Sequence, residues 1–266
     1  MEAVTGVFAT RSAAEAALQD LHRSGIPSDK TTLLIPGSAG QIEKEVQTVP
    51  VDSAEQPGMG NAVGALMGGS VGFIGGSALM ALVPGVGPVT ALGLLGAGIL
   101  AAAGATIGAT AGGKIERESY EGLPEDEIFV YEDALRKGRS VLIAVPDDER
   151  SVSLIREVFQ RDGAESVDAA RDQWWVGLRT AEQSRYAKPG RSFSEDEPFF
   201  RLGFQAAMHA RTRCMEFDQV SAEMAAALEE VKRKYPGADV EEPFLQGYQR
   251  GREHYQELCD ESHKAA

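Results

Sequence analysis

His209, Cys214 and Glu216 are the residues of this chain best suited by type to hold a metal, because imidazole, thiolate and carboxylate are the usual ligands of zinc. Their spacing supports a plainer role, as solvated residues at a helix end. None of the 4 histidines (His22, His209, His254 and His263) stands in an HxxxH or ExxH arrangement, which would set two ligands on one helical face. Cys214 has no identifiable base to activate it as a nucleophile, so a half-buried structural cysteine is the default reading. The 2 cysteines, Cys214 and Cys259, form no CxxC, which fits a reducing compartment without a disulfide framework. The glycines make no P-loop, and they continue too far beyond one strand–helix turn to be a dinucleotide fingerprint. The acidic runs Glu195-Asp196-Glu197 and Glu241-Glu242 stand where helices are expected to begin, and capping accounts for them. Trp174-Trp175 reads as an exposed aromatic pair that either sits at a bilayer interface or covers a sheet edge. No catalytic residue, metal ligand or cofactor is expected.

The elements that would position any site are dominated by one segment. From Gln56 to Gly113 no side chain is charged, in a chain where 25% of residues are. Gly60, Gly64, Gly68, Gly72 and Gly76 recur at every fourth position. Beyond the breaker Val83-Pro84-Gly85-Val86-Gly87-Pro88, Gly93, Ala97, Ala101, Ala105, Ala109 and Gly113 do the same. Residues four apart stack on one helix face, giving the small-xxx-small groove that lets helices approach closely in lipid. The spacing predicts helices over Asn61–Val83 and Val89–Gly113, each longer than the ~20 residues that cross a bilayer. A membrane-inserted helical hairpin is the first expectation. A helix pair buried in the middle of a soluble homo-oligomer is the second, a disordered glycine-rich loop the third, and a pore a lower alternative that no ionisable residue in the segment supports. Lys44, Lys114 and Arg117 flank the base of the hairpin, which the positive-inside rule would place on the cytoplasmic side. A net charge of −14 disfavours binding to nucleic acid or to an anionic lipid surface. The opening Met1-Glu2-Ala3-Val4 carries no basic region and no apolar core of a secretory signal.

On either side of this segment the chain reads as two halves of one unit. Ala3–Ala9 is a short apolar run, Ser12 and Glu15 suggest a capping box, Ala14, Ala17, Leu18 and Leu21 give a helical face, and Gly25 closes the helix. Thr31–Ile35 is a second strand. Ser140–Val145, a helix with Val152, Ile155 and Phe159 buried, Gly163 and a strand at Ser166–Ala170 repeat the order. The halves align without a gap, Ala17 on Ile155, Leu21 on Phe159 and Gly25 on Gly163. A doubled βαβ is the ferredoxin-like arrangement. A returning helix is expected over Glu125–Lys137, with Ile128, Tyr131, Ala134 and Leu135 on one side.

Val4-Thr5-Gly6-Val7-Phe8, Ala13–Leu18, Leu21–Gly25 and Lys137–Val145, with a glycine-zipper segment between them, resemble the bacterial general stress (heat-induced stress) protein family over about residues 3–175. The resemblance implies a stress-associated, often membrane-associated protein with no catalytic residues to carry over. After a polar stretch comes a second internal echo, Glu197-Pro198-Phe199-Phe200-Arg201-Leu202-Gly203-Phe204 answered by Glu242-Pro243-Phe244-Leu245-Gln246-Gly247-Tyr248. Both read as helix starts, with Val220, Met224, Ala227, Leu228 and Val231 marking a third helix between them. Gly203 with Gly247 or Gly251 would permit close packing, and Phe244, Tyr248, Tyr255 and Leu258 would face one core.

The expected fold is therefore α+β: a split ferredoxin-like domain (1–55 and 120–178) interrupted by a helical hairpin (56–119), then a linker (179–197) and a small all-α domain (198–262). The expected function is that of a non-enzymatic, membrane-anchored stress-response protein. It would self-associate through its Gly/Ala hairpin, with its soluble domains on the cytoplasmic side. Its expected partners are the lipid bilayer and further copies of itself.

Overall fold

A computed structural model describes residues 3–37, 78–93, 95–104, 106–107, 125–186, 191–210, 213 and 217–265. The chain is of mixed α and β structure and divides into two units: one of residues 1–124 and 131–167, the other of residues 125–130 and 168–266.

The first unit is built on an antiparallel sheet. Its strands are β1 (Val4–Phe8), β2 (Thr31–Pro36), β3 (Ala78–Val83), β4 (Gly87–Leu92), β5 (Thr106–Ile107), β6 (Ser140–Ala144) and β7 (Glu165–Ser166). They lie in the order β5-β3-β4-β2-β6-β1-β7, and every neighbouring pair is antiparallel. Helix α1 (Arg11–Arg23) joins β1 to β2, and α4 (Glu149–Arg161) joins β6 to β7. The two helices are delimited by matching devices. Thr10 caps α1 by accepting from the Ala13 amide at 3.2 Å, and Asp148 caps α4 by accepting from the Ser151 amide at 2.7 Å. At the other ends, Ile26 N donates to Leu21 O and Ala164 N donates to Phe159 O, the long bond of a Schellman turn. Gly25 and Gly163 take the left-handed residue each turn requires, at φ 95° and 78°. Ser12 and Glu15 do not form the expected capping box. Ser12 lies inside α1, and Glu15 pairs with Arg11 at 2.7 Å.

One face of the sheet presents Phe8, Leu33, Ile35, Leu142 and Ala144 to the apolar faces of α1 and α4. Gly6 leaves room there for Phe159, whose ring meets Phe8 edge-on at 5.8 Å. Alternation sends Thr5 to the other face, where its hydroxyl lies 3.0 Å from the Tyr131 phenol of α3 (Ile128–Arg136). Ile128, Tyr131, Ala134 and Leu135 of α3 are all buried, as expected.

His22, in the last turn of α1, touches Thr31 Oγ1 through Nε2 at 3.0 Å. That hydroxyl donates to Ser28 O, so the imidazole is the donor, and partial burial lowers the His22 pKa. A histidine whose folded pKa is lowered stabilises the fold fully above its ordinary value near 6.5, and that stability falls as pH drops through this value. His22→Gln keeps a donor without a titration. Urea midpoints of the parent should decline between about pH 7 and 5 more steeply than those of the variant. Parallel slopes would refute this role for His22.

The insert does not form the expected helices at Ala78–Val83 or at Val89–Leu92. Ala78–Val83 and Gly87–Leu92 are strands of a β-hairpin, with Val83 opposite Gly87. The breaker is the hairpin's own turn. Proline at its second position and glycine with positive φ at its third specify a type II turn, here with Gly85 at φ 74° and Val86 N donating to Val83 O at 3.0 Å. Leu79, Ala81 and Val83 alternate onto the same face as Val89 and Ala91, a period of two rather than four. β4 continues the sheet by pairing with β2, Leu33 opposite Leu92 and Ile35 opposite Thr90. Arg136 Nε donates to Gly85 O at 2.6 Å, which ties the hairpin tip to α3. Among the described residues of the second half, helix appears at α2 (Gly96–Ala102), which packs against β3 and β4. The fourth strand expected at Ser166–Ala170 is confined to Glu165–Ser166, because Val167 starts a helix.

The second unit is helical: α5 (Val167–Arg185), α6 (Phe193–Ala207), α7 (Phe217–Lys234) and α8 (Glu241–Ala265), with Glu125–Val130 grouped beside them. The expected linker 179–197 is overturned at both ends. Arg179–Arg185 continue α5, and Phe193–Glu197 already belong to α6. Pro198 and Pro243 stand inside helices that begin at Phe193 and Glu241; Ser192 and Glu195 supply the capping box of the first.

Candidate functional site

The line of small residues expected to pack helices is only partly within the described residues. Gly60, Gly64, Gly68, Gly72, Gly76, Ala105, Ala109 and Gly113 lie outside them. Gly93, Ala97 and Ala101 lie within, yet they do not share one helix. Gly93 follows β4 at φ 122°, while Ala97 and Ala101 belong to α2, where Ala101 faces solvent. A Cβ at Gly93 would overlap Thr31 O and come within 2.8 Å of Thr32 Oγ1, so this glycine lets the chain cross β2 closely.

Close helix–helix approach is instead found between α6 and α8. A Cβ on Gly203 would overlap the Phe244 carbonyl oxygen, and one on Gly247 would overlap that of Phe200. A Cβ on Gly251 would fall 2.6 Å from Phe204 O and 2.8 Å from Ala207 Cβ. The pairs Phe200–Gly247 and Phe204–Gly251 advance in the same direction, so the helices run parallel here. The contact is reciprocal: each helix gives a glycine to the other's phenylalanine backbone. Gly203-xxx-Ala207 faces Gly247-xxx-Gly251, the small-xxx-small device in a unit where the flanking side chains are aromatic.

α5 packs on this pair with rings and charges. Trp174 and Trp175, read from the sequence as exposed, are both buried, because they meet Phe129, Phe200 and Phe204 at centroid distances of 4.7 to 6.1 Å. Three carboxylates complete the packing. Glu182 accepts both Arg250 Nε at 2.9 Å and Nη2 at 3.0 Å, a bidentate bond that holds the guanidinium protonated and raises its pKa. Glu197 accepts from Arg179 Nε at 2.7 Å and Trp175 Nε1 at 2.9 Å, and the Arg179 hydrogen bond lowers its pKa. Asp196, fully buried, accepts from the Tyr186 phenol and from Arg191, which also pairs with Asp239 before α8. Burial, then the bond to Asp196, raises the Tyr186 pKa. These groups are committed to one another, an arrangement that fixes helices rather than presenting a reactive atom. The acidic pattern Glu195-Asp196-Glu197 thus does more than cap α6: only Glu195 caps it, while its two neighbours turn inward. Buried carboxylates at the start of a helix have no sequence signature apart from the arginines that must reach them.

Among the described residues no group of three His, Cys, Asp or Glu side chains could hold a metal ion. Cys214 and Glu216 lie outside the described residues, Cys259 is half-buried in α8, and the His254 ring lies 5.5 Å from Phe204. Among the described residues no helix is long and apolar enough to cross a membrane. Comparison with protein-family models, curated proteins and solved structures finds no match to this chain. The resemblance to general stress proteins rests on the sequence motifs quoted above.

Proposed function

We propose that this chain is a non-catalytic, self-associating protein whose uncharged insert is its assembly element, carried on a ferredoxin-like core. The ferredoxin-like reading rests on the order β2-β6-β1-β7, antiparallel throughout, with α1 and α4 covering one face. The non-catalytic reading is supported by the polar groups of the helical unit, where buried Glu182 and Asp196 and half-buried Glu197 are each paired with an arginine. A stress-response role comes from the family resemblance alone.

The observation that carries self-association in place of bilayer insertion is the β3–β4 hairpin. Its tip is the turn expected to join two membrane-inserted helices, and it is held by Arg136, whose charge belongs in an aqueous or paired setting. Near its turn the hairpin also carries Leu82, 50% exposed, an apolar side chain that a second copy would cover. The anchored reading stays as the second one, because the uncharged run extends from Ala78 back to Gln56. Alkaline washing of membranes from expressing bacteria, followed by light scattering on the soluble fraction, separates the two. Full-length protein in the wash, larger than its 28.3 kDa monomer, is the expected result. Retention in the washed pellet would favour the bilayer anchor, and a soluble monomer would sink self-association.

A further inference from the structure

We propose that the buried Glu182–Arg250 pair selects one placement of α5 on the α6–α8 pair, and that this choice, rather than stability, is what the two charges contribute. The inference goes beyond the proposed function, since it concerns the helical unit and does not depend on the insert.

The rings of α5 fix it against one helix of the pair. Trp175 meets Phe200 at 6.1 Å and Phe204 at 5.8 Å, and Trp174 meets Phe204 at 5.7 Å. These three contacts are all with α6. Polar ties nearer the surface run the same way: Arg201 Nη2 reaches Asp172 at 2.5 Å, and Glu197 accepts from Arg179 and Trp175. Together they set α5 along α6. They constrain far less how α5 rolls about α6, towards α8 or away from it, because apolar burial is non-directional.

Glu182 and Arg250 close that freedom. Glu182 stands on α5 about two turns beyond Trp175, and Arg250 stands on α8 beside Gly251. Both carboxylate oxygens accept from the guanidinium, at 2.9 and 3.0 Å. A two-point bond of this kind fixes angle as well as distance. The two side chains are only 2% and 17% exposed, so a rolled α5 would separate the charges where water reaches them poorly. The neighbouring ions do not select a placement. Arg185 lies on α5 with Glu182 and moves with it, as Glu253 does with Arg250 on α8. The reach of Arg185 to Glu257 of α8 is 3.9 Å between half-exposed side chains, and so is worth little. In the native placement the attraction within the pair is largely offset by its desolvation, whereas in a rolled placement the desolvation stands alone. Fully satisfied buried polar groups specify a unique core in this way, and apolar cores of the right volume lose uniqueness before they lose stability.

The test uses the full-length chain carrying Glu182→Leu together with Arg250→Met. Trp174 and Trp175 are its 2 tryptophans, so fluorine NMR of protein labelled with fluorotryptophan reports on this seam directly. The parent should show two sharp resonances. The double variant should unfold in urea near the parent's midpoint and keep its helix content, yet show additional tryptophan resonances or two broadened by exchange. Two sharp resonances in the double variant would mean that the rings place α5 unaided. A double variant as unstable as Arg250→Met would mean that the charges act through stability. Either result overturns the proposal.

Discussion

Gly247→Ala is expected to cost the helical unit about 3 kcal/mol, the upper end of the usual overpacking range, against the direction that helix propensity predicts. Propensity alone would stabilise the variant, because alanine is favoured over glycine in a helix interior by ~1 kcal/mol. The added methyl has nowhere to go, since it would overlap the Phe200 carbonyl oxygen, which is backbone and cannot rotate aside. The two helices must move apart, and the aromatic layers of Phe200, Phe204, Phe244 and Tyr248 lose contact with them. Gly203→Ala should cost about as much, because the crossing is reciprocal. The double variant should cost far less than the sum, since one displacement relieves both overlaps. Gly177→Ala supplies the control. It also lies within a helix, a Cβ there would meet nothing within 4 Å, and it should be neutral or stabilising by up to ~1 kcal/mol. Urea denaturation read by circular dichroism measures all four. A Gly247→Ala protein as stable as the Gly177→Ala protein would remove the crossing from the account.

Arg250→Met should destabilise the same unit by about 3–5 kcal/mol, the usual cost of removing one partner of a buried ion pair. Glu182 has a side chain only 2% exposed, and both its oxygens are engaged by Arg250. Without that partner the carboxylate keeps only Arg185, half exposed and 3.3 Å from one of its oxygens, against its burial. Pairing Arg250→Met with Glu182→Leu removes both charges and should recover most of the loss, because a well-packed apolar pair is often as stable as the ion pair it replaces. A double variant no better than Arg250→Met would show that the guanidinium packs more than it neutralises.

How far each part was legible follows from the range over which its cause acts. The caps and stops of α1 and α4 are local, so Gly25 and Gly163 could be read directly, and so could the matching order of the two halves. The insert was misread because two periods coexist in it. Glycine and alanine recur every fourth residue, while the apolar side chains of Ala78–Leu92 alternate. The period of four was the more conspicuous, but Pro84-Gly85 already specified a tight turn, and β2 offered an edge that only strands can pair with. Trp174-Trp175 looked exposed because its partners, Phe129, Phe200 and Phe204, lie far along the chain. The α6–α8 crossing fell in between. Its glycines were visible in sequence, but their reciprocal use of the Phe200 and Phe244 carbonyls belongs to backbone geometry.

The placement of β4 against β2 bears on what happens when this chain is cut or shortened. Without β3 and β4, the residues from Leu33 to Pro36 would present an unsatisfied row of amide and carbonyl groups along a flat, apolar border. A border of that kind templates pairing with any strand that comes near, including its own counterpart in another molecule. The Gly/Ala-rich segment, the least informative part of the chain by composition, thus acts as a gatekeeper. Proteins trimmed within it should associate edge to edge through β2, the simplest product being a closed pair.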